Sequence, residues 1–421
     1  TSPTCPATPA RTEPAADRPR YKLTLALSLA ENVVRGTTDV RFTPDLDTDR
    51  LVFRLWPNGP RSSQAGGALR TGEVTVDGKV VPASADDPTT LVVRPGGTLA
   101  RGKTIEARVP WTLELPIAAR DRVSRDGDAV RLGSFFPILP WEPGVGWNTD
   151  PAVGAFAEAS TAPVADFDVN VTVPDGLGVL ASGVPDRPGH WTANAMRDFA
   201  LSIGRFTVAS GTANAPNPVA VTVGVHEGIM ESPERYLTKI VDVLEDFETR
   251  FGPYPWPSFS LAITPNAGGG IEYPSHVMQA PGTSGSITTH EVAHQWFYGL
   301  VGNNQGRDPW LDEGLASWGE ARYERRVATF EEVPLSPAAA GHLGEPMTYW
   351  ANQPDSYFEG VYIQGVQVLA ALGPPDLVDC ALRAYAAVYG NRIARQYDLL
   401  AALSTAFPNA ASVLAGYGVR P

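Results

Sequence analysis

His290 to Trp318 reads HEVAHQWFYGLVGNNQGRDPWLDEGLASW: two histidines four residues apart, then the eighteen residues Gln295 to Asp312, then Glu313. On a helix, residues four apart lie one turn above each other on the same face, so His290 and His294 can grip one metal ion. Glu313 adds a carboxylate. Two nitrogens and an oxygen leave the fourth tetrahedral position open, which distinguishes a catalytic zinc site from a structural one. Glu291 follows the first histidine and is rotated by about 100° around the helix, so it would face a water on the open position. It is the natural general base.

HExxH fixes only three positions and recurs by chance, so its surroundings matter. Ile287, Val292, Ala293, Trp296, Phe297, Leu300 and Val301 form an apolar pattern that is expected to bury this helix. Asp308 as cap and Pro309 at the first helical position announce a second helix. A buried helix carrying two histidines and a glutamate needs partners for those groups. One zinc ion per chain supplies them.

HEVAH followed by WLDEGLASWGE resembles the gluzincin aminopeptidases, the family of aminopeptidase N and leukotriene hydrolase, whose signature is HExxH, eighteen residues and the Glu of a WLNEGFA-like segment. Upstream, GGGIEYPS (Gly268 to Ser275) is similar to that family's exopeptidase motif, written GxMEN, with Ile271 for Met and Tyr273 for Asn. Asp312 stands where the family has Asn. The resemblance implies a zinc aminopeptidase in which Glu272 holds the free amino terminus of a peptide substrate. The bare backbone of Gly269 and Gly270 would let the substrate chain come close. It also implies an oxyanion donor from a Y-x-x-G segment that opens an apolar helix. Tyr362, with Gly365 three on, fits better than Tyr357. Asp308 and Glu320 flank Glu313 and are candidates to orient a ligand histidine, though plain cap and surface charge are the alternative reading. Family members often add a polar group from the first domain to hold the amine. Glu142 and Glu158 are both candidates here, and turn-surface carboxylates are the stronger alternative.

At 421 residues the chain has room for two cores, and 43% hydrophobic with 19% charged residues is ordinary globular material. The net charge of −13 argues against nucleic acid, whose phosphates call for a basic face. Only Lys22, Lys79, Lys103 and Lys239 are lysines, which points to a GC-rich genome. No run reaches the length of a bilayer-spanning helix. Cys5 and Cys380 either form one disulfide or remain two unrelated thiols.

Residues 1–19, rich in Pro, Thr and Ala, read as a disordered or extended leader left after processing, with a lipid anchor at a removed N-terminus left open. Residues 20–210 hold short period-two stretches such as YKLTLALSLA and DFDVNVTVP, separated by Gly, Pro, Asp and Asn turns. They predict an all-β, saddle-like domain. Within it, 133–158 is dense in Pro, Gly and aromatics and is expected to be a loop packing toward the catalytic cleft. Residues 211–421 predict a thermolysin-like, mainly helical domain, with a long amphipathic helix at Ser232 to Phe251, a small sheet and the two zinc helices. His276, His190, His226 and His342 fall outside any ligand spacing and are expected to be structural.

The fold class is therefore α+β: an N-terminal saddle-like β domain followed by a thermolysin-like catalytic domain. The expected activity is a zinc metallopeptidase, foremost an aminopeptidase, with an open-cleft endopeptidase or a zinc-stabilised peptide-binding module as alternatives. A monomer, secreted or in a bacterial cell envelope, completes the expectation.

Overall fold

The alternating stretch from Arg20 to Ser28 buries every second side chain, Tyr21, Leu23, Leu25 and Leu27, and forms the centre of a nine-stranded sheet. This period-two burial is what a sheet with one covered face demands. Arg20–Ser28 pairs antiparallel with Val33–Phe42, which in turn pairs with Ile105–Glu114, and it pairs parallel with Ala165–Thr172 on its other side. A second sheet of four strands, Val123–Asp126, Ala129–Leu132, Leu201–Gly204 and Gly178–Ala181, leads into the second half. The structure is a computed structural model and describes residues 5–155, 161–214 and 216–420.

The sheet of the second half takes in residues before 211. Phe206–Ala213 already pairs along its whole length with Val219–His226, as the edge of a five-stranded sheet that continues through Ser258–Ile263, His276–Gln279 and Gly270–Tyr273. The long helix runs Pro233–Phe251, with Tyr236, Ile240, Val243, Leu244 and Phe247 buried against this sheet. Buried residues from both halves, Tyr21 through Val419, join in one continuous core.

Residues 5–19 form a strap with neither helix nor strand and a turn at Ala16 and Asp17. Cys5 is bonded to Cys380, the backbone N–H of Thr12 donates to the Ala387 carbonyl at 2.9 Å, and Arg18 pairs with Asp166 at 2.8 Å. The two cysteines thus form a disulfide. No helix among the described residues is long and apolar enough to cross a membrane.

Candidate metal centre and cleft

The helix Ser286–Ala293 ends at its C-cap His294, so both histidines sit on its last turn. Val292, Ala293, Trp296 and Phe297 are buried as expected, but Ile287 is 38% exposed and lines the cleft instead. Its position, one turn before His290 and Glu291, turns it to their face. The following helix is Glu313–Tyr323, and its cap is Asp312, whose carboxylate accepts from the Glu313 N–H at 3.0 Å. Asp308 precedes only a short 3₁₀ turn, Pro309–Leu311, and makes no capping bond.

His290 Nε2 lies 3.1 Å from His294 Nε2 and 3.1 Å from Glu313 Oε2, and His294 Nε2 lies 3.3 Å from that same oxygen. Donors held at roughly 2.0–2.1 Å from one tetrahedral ion stand about 3.3 Å apart. The donor set therefore fits such an ion. The other nitrogens fix the tautomers. Glu320 lies 3.3 Å from His290 Nδ1, and the Phe297 carbonyl 3.1 Å from His294 Nδ1. An oxygen acceptor at Nδ1 leaves the proton there and the lone pair at Nε2. Glu320 is thus placed as expected, whereas Asp308 points away and accepts from Gln396 at 2.7 Å. Burial disfavours charge on His290, but Glu313 and Glu320 outweigh it and lift its pKa well above the ordinary value. Burial likewise pushes Glu313 up, yet the two imidazoles win and hold it ionised. The pole favours a cation.

Above the helix runs the edge strand Gly270–Tyr273. Strand alternation buries Ile271 and Tyr273 with Ala200 and Met278 and turns Glu272 into the cleft. Glu272, Glu291 and His294 offer donor atoms within 4.8 Å of one another. Gly270 makes this possible: a Cβ there would stand 2.2 Å from Glu291 Oε1. Gly268 and Gly269 take φ of 80° and 123°, which side chains rarely tolerate. Gln295 ties strand to helix, donating to the Tyr273 carbonyl at 3.0 Å and accepting from the Ser275 N–H at 2.8 Å.

Tyr362 closes the other side. It lies in a π-helical turn, Phe358–Ile363, and its ring stacks on His290 with centroids 5.4 Å apart. The approach depends on two glycines, since a Cβ on Gly365 would stand 2.5 Å from Gly314 Cα. Burial, reinforced by Glu313, lifts the phenol well above 10, so it stays a donor. Tyr357 packs edge-on against Tyr362 and does not line the cleft.

The cleft is about 540 Å³ in volume. None of the described residues of 133–155 lines it, contrary to the expectation for that segment. Phe135, Phe136, Ile138, Leu139 and Trp141 are drawn into the β core because apolar side chains outweigh the irregular backbone there. Glu142 sits between the two halves, accepting from Asn304 at 3.1 Å and pairing with Arg395 at 3.3 Å and Arg307 at 3.4 Å. Glu158 lies outside the described residues. His276 is structural, 2.7 Å from Ser260 Oγ and 3.0 Å from Ser202 Oγ, with burial lowering its pKa to about 3. His190, His226 and His342 pair with Asp168, Asp128 and Glu345, away from the cleft. Sequence reasoning missed Gln295 and the Phe297 carbonyl. A glutamine directly after HExxH is the one signal for the former, and a backbone acceptor leaves none.

Residues 275–334 match the Peptidase family M1 domain. The chain is 30% identical to aminopeptidase B of Mus musculus over 109 residues, 24% of this chain and 16% of that protein. It is 27% identical to leucine aminopeptidase 2 of Aspergillus oryzae over 185 residues, 40% of this chain and 29% of the relative. Leukotriene A-4 hydrolase of Xenopus laevis matches at 28% over 182 residues, 37% of this chain and 28% of the relative. The matched stretches thus span less than a third of these curated relatives. Among solved structures, an M1 zinc metallopeptidase from Deinococcus radiodurans superimposes with a TM-score of 0.71 at 19% identity, covering 96% of this chain and 95% of that one. A two-domain M1 zinc metallopeptidase mutant bound to L-arginine gives 0.72 at 18% identity, covering 96% and 94%. The fold is that of a two-domain M1 metallopeptidase.

Proposed function

We propose that this chain, a member of peptidase family M1, is a zinc aminopeptidase that releases the first residue of peptides. His290, His294 and Glu313 would hold the zinc ion, which when bound polarises water and the scissile carbonyl. Glu291 accepts the proton of the attacking water and returns it to the leaving amine, a role worth roughly 10²- to 10⁴-fold. Tyr362, kept protonated, donates to the oxyanion that develops on the carbonyl. Glu272 accepts hydrogen bonds from the substrate α-ammonium while the chain lies along Gly269 and Gly270.

The observation that carries the exopeptidase reading is the carboxylate of Glu272 within 4.8 Å of Glu291 and His294. An α-amine is only about 2.5 Å from the carbonyl carbon of its own residue. A carboxylate this near the metal pole therefore measures one residue from the amino end. The test is a matched peptide pair, free and acetylated at the amino terminus, given to the zinc-loaded wild type and to Glu272→Ala with zinc content measured in both. Cleavage of the free peptide alone, lost on substitution with zinc retained, supports the reading. Cleavage of both peptides at internal bonds makes the protein an endopeptidase. No cleavage by either makes it a binding module.

We further propose that the protein works outside the cytoplasm, secreted or in a bacterial cell envelope. The Cys5–Cys380 disulfide supports it, since such bonds persist in oxidising compartments.

A further inference from the structure

Glu272 sits on a strand that has little of its own to hold it. Gly270–Tyr273 is four residues long, lies at the edge of its sheet and pairs with His276–Gln279 on the inner side. Gly268 and Gly269, both at positive φ, lead into it. A binding group serves its purpose only when its support holds it to within about 0.5 Å. That support comes from one segment of the N-terminal half, Arg131 to Ser134, which grips the strand before its start and at its end.

Before the strand, the buried Arg131 guanidinium donates to the carbonyls of Pro265 at 2.6 Å and Asn266 at 3.2 Å. In its own half it donates to the carbonyls of Ala119 at 2.7 Å and Asp121 at 3.2 Å. A planar fork of N–H donors can bridge two chain segments in this way. At the far end, the Tyr273 hydroxyl lies 3.3 Å from Ser134 Oγ. Ser134 gives its own proton to Asp198 Oδ2 at 2.8 Å, so it accepts from Tyr273. The backbone is shaped for this contact. A Cβ on Gly133 would stand 2.3 Å from the Tyr273 hydroxyl, and Ser134 holds a φ of 47°. Such conformations persist where the surroundings enforce them, and they gather at functional sites. Tyr273 also stands where the exopeptidase motif has Asn, so the departure from that motif is the residue that reaches the other half. We propose that Arg131 and Tyr273 are positioning residues for the amine site, fixing Glu272 from the N-terminal half so that affinity for a free α-ammonium depends on them. This rests on the aminopeptidase reading above.

The probes are a phosphinic dipeptide analogue with a free α-amine, which is not hydrolysed, and the same compound without the amine. Their Kd values are measured by titration calorimetry on zinc-loaded wild type, Tyr273→Phe, Ser134→Ala, Arg131→Lys, Glu272→Ala and the double variant Tyr273→Phe with Glu272→Ala. Tyr273→Phe should weaken the amine-bearing compound roughly 3- to 10-fold, the worth of about one hydrogen bond. It should leave the compound without the amine unchanged. On a free-amine peptide its KM should rise in step while kcat stays within about twofold, because the ammonium contact is made equally in the ground and transition states. Ser134→Ala should match it, and Arg131→Lys should shift affinity in the same direction. With Glu272 already replaced, Tyr273→Phe should have no further effect, since a positioning residue acts only through the group it positions. Tyr273→Phe and Ser134→Ala keep the buried shape, so the test stands even where Arg131→Lys does not fold. Wild-type affinity in both of them, equal weakening of the two compounds, or a Tyr273→Phe effect that survives without Glu272 overturns the positioning role and leaves the aminopeptidase reading in place. Equal wild-type affinity for the two compounds, or an amine-bearing affinity that Glu272→Ala leaves unchanged, overturns both.

Discussion

Gly270→Ala adds one methyl group, and the structure says where it lands. The new Cβ would stand 2.2 Å from Glu291 Oε1, 2.4 Å from its Cδ and 2.6 Å from its Cγ. Ordinary van der Waals contact begins near 3.4 Å. The carboxylate must therefore retreat by about 1 Å or more, a misplacement that costs on the order of 10²-fold in rate when it falls on a reacting group. The backbone at Gly270 does not have the positive φ of Gly268 and Gly269 before it, so alanine fits the strand itself. The metal ligands are on other residues and stay put. The expected result is a kcat lowered by roughly 10²-fold, with zinc content and melting temperature close to wild type. Steady-state kinetics on a peptide with a free amino terminus, elemental analysis and thermal unfolding read the three quantities. A zinc-loaded variant with wild-type kcat would refute the placement of Glu291 as base.

Tyr362→Phe removes the phenolic donor but keeps the ring stacked on His290, so kcat should fall by about 10²- to 10³-fold with zinc retained; an unchanged kcat assigns the ring to packing alone. In the N-terminal half, the hydrogen bonds that His190 donates to Asp186 and Asp168 raise its pKa, while the same contact holds Asp186 below the usual carboxylate range. A raised folded pKa gives stability that is complete below about 6.5 and is lost as pH climbs through the folded value. Thermal unfolding of His190→Gln should therefore show its largest deficit near pH 5.5 and a deficit that shrinks as the pH rises, and a deficit that grows with pH contradicts the pairing.

The metal pole was legible because its chemistry fixes residue types at fixed spacing. His290, His294 and Glu313 converge, Glu291 and Glu272 face the same space, and Tyr362 rather than Tyr357 lines the cleft. What was not legible rests on long-range packing or on backbone atoms. Asp308 has the composition of a helix cap, yet the chain takes a 3₁₀ turn first and Asp312 does the capping. Ile287 fits the apolar pattern of its helix but faces the cleft, because a periodicity identifies a face and not what covers it. Glu142 was weighed as an amine contact, and the fold instead surrounds it with Arg307, Arg395 and Asn304 from the other half. The strand signal at 206–213 fell across the expected boundary, since alternation alone does not say which sheet a strand joins.

Arg197 belongs to the N-terminal half, but its guanidinium donates to the carbonyls of Tyr298 at 2.9 Å, Leu300 at 3.0 Å and Arg392 at 2.6 Å. Burial draws its pKa down to about 10, which still leaves it charged at neutral pH. Tyr298, whose φ is 111°, directly follows the Phe297 carbonyl that fixes the tautomer of His294. The loop behind a metal ligand is thus stitched by a residue that precedes it by about a hundred positions in the chain. The half that carries HExxH is for this reason not a portable cassette: a recombination crossover between the halves, or a graft of the peptidase half onto a foreign β domain, must bring an equivalent of Arg197 with it or lose the geometry of the ligand it never touches.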